Sequence, residues 1–282
     1  MTRIMSANSA REGYRFHRPN QVDDLEIVRG TNVQRVLDSH LHEKYEIGLI
    51  EQGEALLTIR GVEVPLLPGK LVVVNPSEPH EARSEHGCTF RLLYVTPERM
   101  EQAARDVGLA EAPLFITRAF DDPVIMHALQ QLHTAFDRDA PRNEIEVLLA
   151  TALGMIVTRA PRVEDDAALS ATPHEAVERV RRFIDEHYAD PISLDELSQH
   201  AGLSKYHLIR VFRAACGMPP HAYQNAVRVA REREALANGA AACDVATAIG
   251  FADQSHFTRR FKRLVGVAPG EYARGAAGKR AS

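Results

Sequence analysis

Two hydrophobic periods divide the chain. From Leu25 to about Val95, apolar positions alternate or fall in short β-branched runs, at 45–50, 55–60, 62–66, 71–74 and 90–95. Turn signals separate the runs: Glu51-Gln52-Gly53, Arg60-Gly61, Pro68-Gly69 and Asn75-Pro76. Many short strands with close turns predict a sandwich or barrel. After Thr96 the period becomes helical, with helices predicted over 97–107, 124–136 and 143–159. Ile125, Leu129, Leu132 and Phe136 share one face of the second helix; Ile145, Leu148, Leu149, Ala152 and Ile156 share one face of the third. Both faces are expected to pack on the barrel, with one helix also forming a dimer seam. Residues 159–173 (RAPRVEDDAALSATP) lack a sustained apolar pattern and read as an interdomain linker. Beyond them the chain is helical to about Ala273.

Composition sharpens this picture without changing it. At 282 residues the chain suits two domains, and 45% hydrophobic with 26% charged residues is ordinary for a globular protein. No apolar run approaches the roughly 18 residues of a membrane-spanning helix. The first 11 residues are polar and lack the apolar core of a secretory signal, so 1–20 reads as a disordered leader. The expected domains are then 21–160 for sensing and dimerisation, 161–173 for the linker and 174–275 for DNA binding, with a tail at 276–282. Cys88, Cys216 and Cys243 are far apart, which argues against a disulfide framework or a structural zinc cluster and fits free thiols in a reducing cytoplasm. Charge is split between the halves. Residues 173–282 hold 16 Lys and Arg against 12 Asp and Glu, whereas 1–172 hold 18 against 26. A basic C-terminal half fits a polyanionic partner.

The C-terminal half carries two similar units. In ISLDELSQHAGLSKYHLIRVFRAACG, from Ile192, Ser193 and Glu196 form a capping box before a helix with the apolar stripe Leu194, Leu197 and Ala201. Gly202 supplies the tight turn and Ser204 caps a second helix. There Leu208, Val211 and Phe212 face inward, while Lys205, Tyr206, Ile209, Arg210 and Arg213 face out. A short helix, a glycine turn and a basic second helix form the helix-turn-helix layout. About fifty residues on, the stretch from Val245 to Phe251 repeats the first helix and turn. Asp253 caps the next helix, with Gln254, Ser255, His256, Thr258, Arg259 and Lys262 outward and Phe257, Phe261 and Leu264 inward. A long helix from Ala222 to Leu236, ended at Asn238-Gly239, joins the units. Such a pair can present two second helices to successive major grooves, about 34 Å apart.

These stretches resemble the AraC/XylS family of transcriptional regulators. GFADQSHFTRRFKRLVGVAPGEYA, from Gly250, is similar to the family's second unit, and LSQHAGLSKYHLIRVF to its first. The resemblance implies that outward residues of both second helices read bases. By position these are Tyr206, Ile209 and Arg210 in the first unit and Gln254, Ser255, Thr258 and Arg259 in the second. Arginine pairs with guanine and glutamine with adenine, whereas Ile209 is limited to a thymine methyl. Lys205, Arg213, Lys262 and Arg263 are assigned to phosphates.

One constellation in the first half suggests site chemistry. In His40-x-His42-x3-Glu46, the two histidines share one side of an extended strand. With His80 they offer three nitrogens and a carboxylate, a set that suits a divalent metal. The spacing resembles the first cupin motif, and the segment from Leu67 to His80 resembles the second, with Ser77 where glycine is usual. The sensing domains of the AraC/XylS family are cupin-like. The expected fold is therefore an α+β multidomain chain: an N-terminal cupin-like β-barrel with a helical hairpin, then an all-α double helix-turn-helix domain. Arg35, His40, His42, Glu46 and His80 are the candidate effector-binding residues. Three readings stay open for the cluster: an organic ligand without metal, a metal with or without ligand, and ancestry without a role. No cofactor is required by the reading, and a divalent metal is an optional one.

The expected function is a cytoplasmic, ligand-responsive regulator. It binds promoter DNA as a homodimer, with RNA polymerase as a further partner and no membrane association. Two rivals differ in class. A metal-dependent cupin enzyme fused to a DNA-binding domain would lose turnover when His42 is changed. An architectural DNA binder would bind without sequence preference.

Overall fold

The computed structural model describes residues 13–19, 22, 25–162, 175–240 and 254–276, with side chains from 257 onward in the last stretch. Among the described residues, the first half holds seven strands: β1 (Gly13–His17), β2 (Leu25–His40), β3 (Tyr45–Gly53), β4 (Ala55–Ile59), β5 (Val62–Leu66), β6 (Leu71–Val74) and β7 (His80–Val95). All pairings are antiparallel. The main path is β1-β2-β7-β3-β6, and β4 joins β5 to β7. The long β7 organises the sheet. It pairs with β2 along its length, with β4 over its first residues and with β3 over its second half. One strand with different partners at its two ends curls the sheet around a cavity.

Alternation assigns the two faces of this sheet. Leu93 and Val95 of β7, Ile47 and Leu49 of β3, and Leu25 and Ile27 of β2 pack against three helices, α1 (Pro97–Asp106), α2 (Pro123–Asp137) and α3 (Arg142–Arg159). The intervening residues, among them Phe90, Leu92, Tyr94, Glu46, Gly48 and Ile50, turn into the cavity. Asp122 starts α2 by accepting from the Val124 and Ile125 amides at 2.9 and 3.1 Å, with Pro123 in the first turn. The helical faces expected from the sequence are buried, except that Leu148 is only partly so.

Two strand boundaries differ from the sequence expectation. The stretch placed in the leader contributes β1, in register with β2 from Gly13↔Thr31 to His17↔Ile27. Phe16 is the reason: its side chain is buried against Tyr272 of the C-terminal half. The strand expected at 90–95 begins ten residues earlier, at His80, because its polar first half is held by ladders on both sides. The remainder of the expected leader, most of the linker and the tail lie outside the described residues.

The second half contains α4 (Glu175–Glu186), α5 (Leu194–Ala201), α6 (Lys205–Cys216), α7 (Pro220–Ala237), α8 (Gln254–Val265) and α9 (Pro269–Ala276). The Ser193–Glu196 capping box is present, Gly202 ends α5 at φ 66°, and Ser204 caps α6. Left-handed backbone at that turn favours glycine, because a Cβ would be strained. Leu197, Leu208, Phe212 and Tyr223 fill the core of the first unit. Phe257, Phe261, Leu264 and Tyr272 fill a second core, which also takes in Phe16, Val28 and Tyr94 of the barrel. The repeat from Val245 to Phe251, the cap Asp253 and Cys243 lie outside the described residues. Cys88 and Cys216 are buried free thiols. Among the described residues, no helix is long and apolar enough to cross a membrane.

Candidate effector site and nucleic-acid interface

The barrel holds a partly open cavity, with about 90 Å³ available to the centres of water-sized molecules. Its walls are mainly apolar, with Val33, Leu37, Ile50, Leu57, Val72 and Phe90 among them. Polar groups gather in two places. At one, Glu46 and His80 of the cavity wall meet His42, which lines a neighbouring cleft against the second half; the three bring one ligand atom each to within 4.8 Å of one another, all buried. Their positions follow from the strands. His80 opens β7 opposite His40, the last residue of β2, and Glu46 lies directly opposite Tyr94. The loop carrying His42 is tied down by the Ser77 amide, which donates to the His42 carbonyl at 2.8 Å. Ser77 adopts φ 57°, the left-handed conformation that glycine would take more easily.

The imidazoles are oriented alike. The Nδ1 of His40 donates to the Asp38 carbonyl at 2.9 Å, that of His42 to the Lys44 carbonyl at 2.6 Å, and that of His80 to the Glu78 carbonyl at 3.0 Å. A carbonyl only accepts, so each Nδ1 carries a proton, and the lone pair of each ring in its neutral form lies on Nε2. Burial, with the neighbouring histidines adding to it, holds His40 well below the ordinary imidazole pKa. Burial also lowers His80. For Glu46 burial pushes the pKa up, but the neighbouring His42 and His80 outweigh it and hold the carboxyl well below its usual range. The His42 Nε2 lies 3.3 Å from the Glu46 carboxylate yet lacks hydrogen-bond geometry, and the His80 Nε2 lies at 3.9 Å. Lone pairs therefore face a carboxylate inside a buried space.

Two predicted residues are placed differently from the rest. The His40 ring lies tilted against that of His80, with centroids 4.2 Å apart, but its ligand atom is outside the tight trio. Arg35 lies elsewhere on the cavity wall. There it covers the Tyr14 ring at 5.6 Å and donates to the Gly266 carbonyl in the turn after α8. Its reach from the end of the barrel explains the separation from the trio.

Residues that the sequence did not single out join the cavity to the second half. Glu26 of β2 is 3% exposed and receives hydrogen bonds from Arg233 of α7 and, at 2.7 Å, from Tyr272 of α9. Burial pushes its carboxyl up, but the charge and hydrogen bond of Arg233 hold it below its ordinary value. The Arg233 guanidinium lies 4.2 Å over the Tyr94 ring. Asp38 of β2 pairs with Arg263 at 2.9 Å and Arg260 at 4.0 Å, both on α8.

In the first DNA-reading unit, Tyr206 is 81% exposed, Lys205, Arg210 and Arg213 are exposed, and Ile209 is partly covered. Lys205 pairs with Asp195 across the unit at 2.6 Å. On α8, Arg259, Lys262 and Arg263 are exposed and Thr258 is half-buried. Gln254 and Ser255 belong to α8, but their side chains lie outside the described ones. A basic, exposed second helix on a helix-turn-helix unit beside an apolar barrel cavity defines a ligand-sensing DNA-binding protein.

Comparison with known proteins gives that class a family. Residues 24–153 match the model of the AraC-like ligand binding domain and residues 197–275 that of a helix-turn-helix domain. The Bacillus subtilis (strain 168) protein YbfI, described as an HTH-type transcriptional regulator, is 31% identical over 237 residues, covering 82% of this chain and 85% of its own. The activator RhaS of Escherichia coli (strain SE11) is 22% identical over 250 residues, covering 85% and 88%. The crystal structure of ToxT from Vibrio cholerae strain SCE256, bound to an unsaturated fatty acid, shares the two-domain fold with a TM-score of 0.58 at 14% identity, covering 92% and 97%. The chain belongs to the AraC family of transcriptional regulators.

Proposed function

We propose that the barrel senses a small apolar molecule at a cation-holding His/Glu cluster and thereby sets the affinity of the C-terminal half for specific DNA. The observation that carries this reading is the His42 Nε2 lone pair facing Glu46 at 3.3 Å in a buried space. Two acceptors at that distance call for a cation between them, either a proton on His42 or a metal ion. A proton satisfies one imidazole, whereas a divalent metal accepts lone pairs from both His42 and His80 while Glu46 supplies charge. Fixing each ring through Nδ1 on a carbonyl is the supporting arrangement that metal-binding histidines commonly have. His40 would complete the set. A bound metal would supply a Lewis-acidic anchor for a polar end of the effector. The apolar walls suit an apolar body, in keeping with the fatty acid bound by ToxT.

Sensing, rather than turnover, is the role proposed for this site, because Arg35 of the cavity wall and Glu26 of the neighbouring cleft bond directly to the DNA-binding half. Tyr206, Ile209, Arg210, Gln254, Ser255, Thr258 and Arg259 are proposed to read bases, and Lys205, Arg213, Lys262 and Arg263 to bind phosphates. Pairing of two chains through the helical hairpin is supported by Val147 of α3, which is 66% exposed. Promoter DNA in the cytoplasm and RNA polymerase complete the proposed partners.

Selection of bound fragments from random DNA at near-physiological salt tests the reading. The expected result is a motif with two contacted segments about one helical turn apart. Arg210→Ala should cost about 1–3 kcal/mol and relax the preference at one base position. Uniform weakening on all sequences would remove Arg210 from the base-reading set. Asp38→Asn has the opposite sign. Arg263, freed for phosphate, should raise affinity for any sequence about twofold to fivefold, the scale of a partly exposed ion pair. The salt slope should steepen by about one phosphate contact. An unchanged slope would show that Asp38 does not compete with DNA.

A further inference from the structure

Residues 41–44 join β2 to β3, and their side chains go to different places. Leu41 is 6% exposed and lies in the core of the first helix-turn-helix unit, with Val180 of α4, Leu197 of α5, Phe212 of α6 and Tyr223 of α7. Among the described residues, it is the barrel half's one member of that core. Glu43 pairs with Arg231 of α7 at 2.9 Å, and the same guanidinium covers the ring of Tyr188, packed against that core, at 5.7 Å. His42, between the two, turns to Glu46 and His80. One short segment thus carries a member of the His/Glu cluster and both groups that grip the first unit. The second unit is held by strands instead, through Phe16 of β1 and Arg35 and Asp38 of β2. The rest of the trio also sits in ladders: Glu46 lies opposite Val74 and Tyr94, and His80 opposite His40 and Ile59. His42 has no such support. Its carbonyl accepts from the Ser77 amide at 2.8 Å, and its Nδ1 donates to Lys44 within the same segment. Of the three, His42 stands on the backbone that yields most readily.

We propose that residues 41–44 are the coupling segment that carries the state of the His/Glu cluster to the first helix-turn-helix unit. The inference rests on the sensing role proposed for the barrel and adds the route by which occupancy is read. An occupant that draws the three ligand atoms together moves His42 most, because ladders pin Glu46 and His80. His42 does not move alone. Planar peptide units join it to Leu41 and Glu43, so a displacement of its Cα passes to both neighbours. Leu41 sits in a close-packed core, and such cores shift between discrete arrangements rather than stretch. The first unit therefore follows the leucine or releases it. Either result changes the placement of α6 relative to α8, which stays anchored on β2 through Asp38. The fit of two recognition helices to successive grooves then depends on the cluster. Leu41 offers the cluster no ligand atom. Its part is to hold the first unit where His42 dictates.

The test is the DNA affinity of the full chain, measured first with a metal chelator present. Glu46→Gln perturbs the cluster, and Leu41→Ala loosens the grip. In the wild type, Glu46→Gln should shift DNA affinity by about fivefold or more. In the Leu41→Ala background the same change should shift it by about twofold or less. An equal shift in both backgrounds overturns the proposal and leaves sensing to another route. No shift in either rejects the sensing reading, and the proposal with it. A merely structural role for Leu41 would lower the melting temperature and leave the Glu46→Gln shift intact. Should Leu41→Ala not fold, Glu43→Gln takes its place, because it keeps the side-chain shape and removes the charge that meets Arg231. The Glu46→Gln shift should then shrink by about twofold or more, the scale of a partly exposed ion pair; an undiminished shift overturns the proposal. Zinc is added in a parallel arm. Failure of the wild type to bind zinc rejects the metal reading alone, since the first comparison needs no metal. If zinc binds, Leu41→Ala should keep the wild-type zinc affinity within about twofold and lose most of the effect of zinc on DNA affinity. An equal zinc effect in both proteins, or none in the wild type, overturns the proposal.

Discussion

Arg233→Met is expected to lose about 3–5 kcal/mol of the stability holding the halves together at pH 7, and to invert the way that stability depends on pH. Methionine matches much of the arginine stem but leaves the Glu26 carboxylate, 3% exposed, without its cation. The remaining donor is the Tyr272 hydroxyl, which places the loss toward the lower end of that range. In the wild type, Arg233 holds the Glu26 pKa down. Its contribution is therefore complete above the unfolded carboxyl value of about 4.3 and is lost as pH falls through the lower folded value. In the variant, burial is opposed only by the Tyr272 hydrogen bond and the Lys44 charge, and the folded pKa is expected to rise above the unfolded one. The variant is then least stable where the carboxylate must be charged, and it recovers as acidification protonates Glu26. Denaturant melts from pH 7 to pH 5 should show a nearly flat wild type and a midpoint that rises in the variant. Parallel profiles would mean that Arg233 does not hold Glu26 as an anion.

The second large effect concerns the metal reading. His42→Ala and His80→Ala should each weaken zinc binding by at least about 100-fold, or roughly 2.8 kcal/mol. Loss of a supporting partner already costs up to that much, and these two imidazoles supply the lone pairs themselves. His40→Ala should cost less, because its ligand atom stands outside the trio. Equilibrium dialysis of the full chain against buffered zinc measures all three. Equal losses would place His40 in the coordinating set from the start. Wild-type zinc affinity in His42→Ala would reject the site. Protons compete with zinc for the imidazole lone pairs, so zinc affinity should fall on acidification.

How much of this was legible in the sequence depends on whether partners are near or far along the chain. The helix-turn-helix units were readable because their signals are local: Ser193 with Glu196, the Gly202 turn, and the spacing of Leu208 and Phe212. The His/Glu cluster was readable from the cupin-like spacing of its residues, although His42 lies in the loop after β2 and not on the strand with His40. That spacing did not show that the His40 ligand atom would stand apart, since the register of His40 against His80 belongs to a ladder closed by residues forty positions away. Arg35 was read as a cavity residue from its polarity alone, and its bond to Gly266, 231 positions away, has no local trace. Glu26, Asp38 and Tyr94 carried no signal for the same reason. Each is ordinary in its own strand and acquires meaning only when β2, β3 and β7 align and the second half settles on them. The strand halves at 31–40 and 80–89 escaped the period analysis because ladder hydrogen bonds, rather than alternation, hold their polar residues.

The outer part of β2 has a consequence for how such a protein can diverge. Arg35 and Leu37 face the cavity, and Arg35 also bonds the Gly266 carbonyl, while Asp38, on the same few residues, grips α8. The strand is irregular there, with register shifts on either side of these positions. A substitution that reshapes the cavity for a new effector therefore alters the grip on the DNA-reading helix at the same stroke. Changes of ligand preference along this strand will arrive as changes of basal transcription. Lineages that acquire a new inducer should carry compensating substitutions on α8 and the turn after it, a paired history that sequence comparison across relatives can recover.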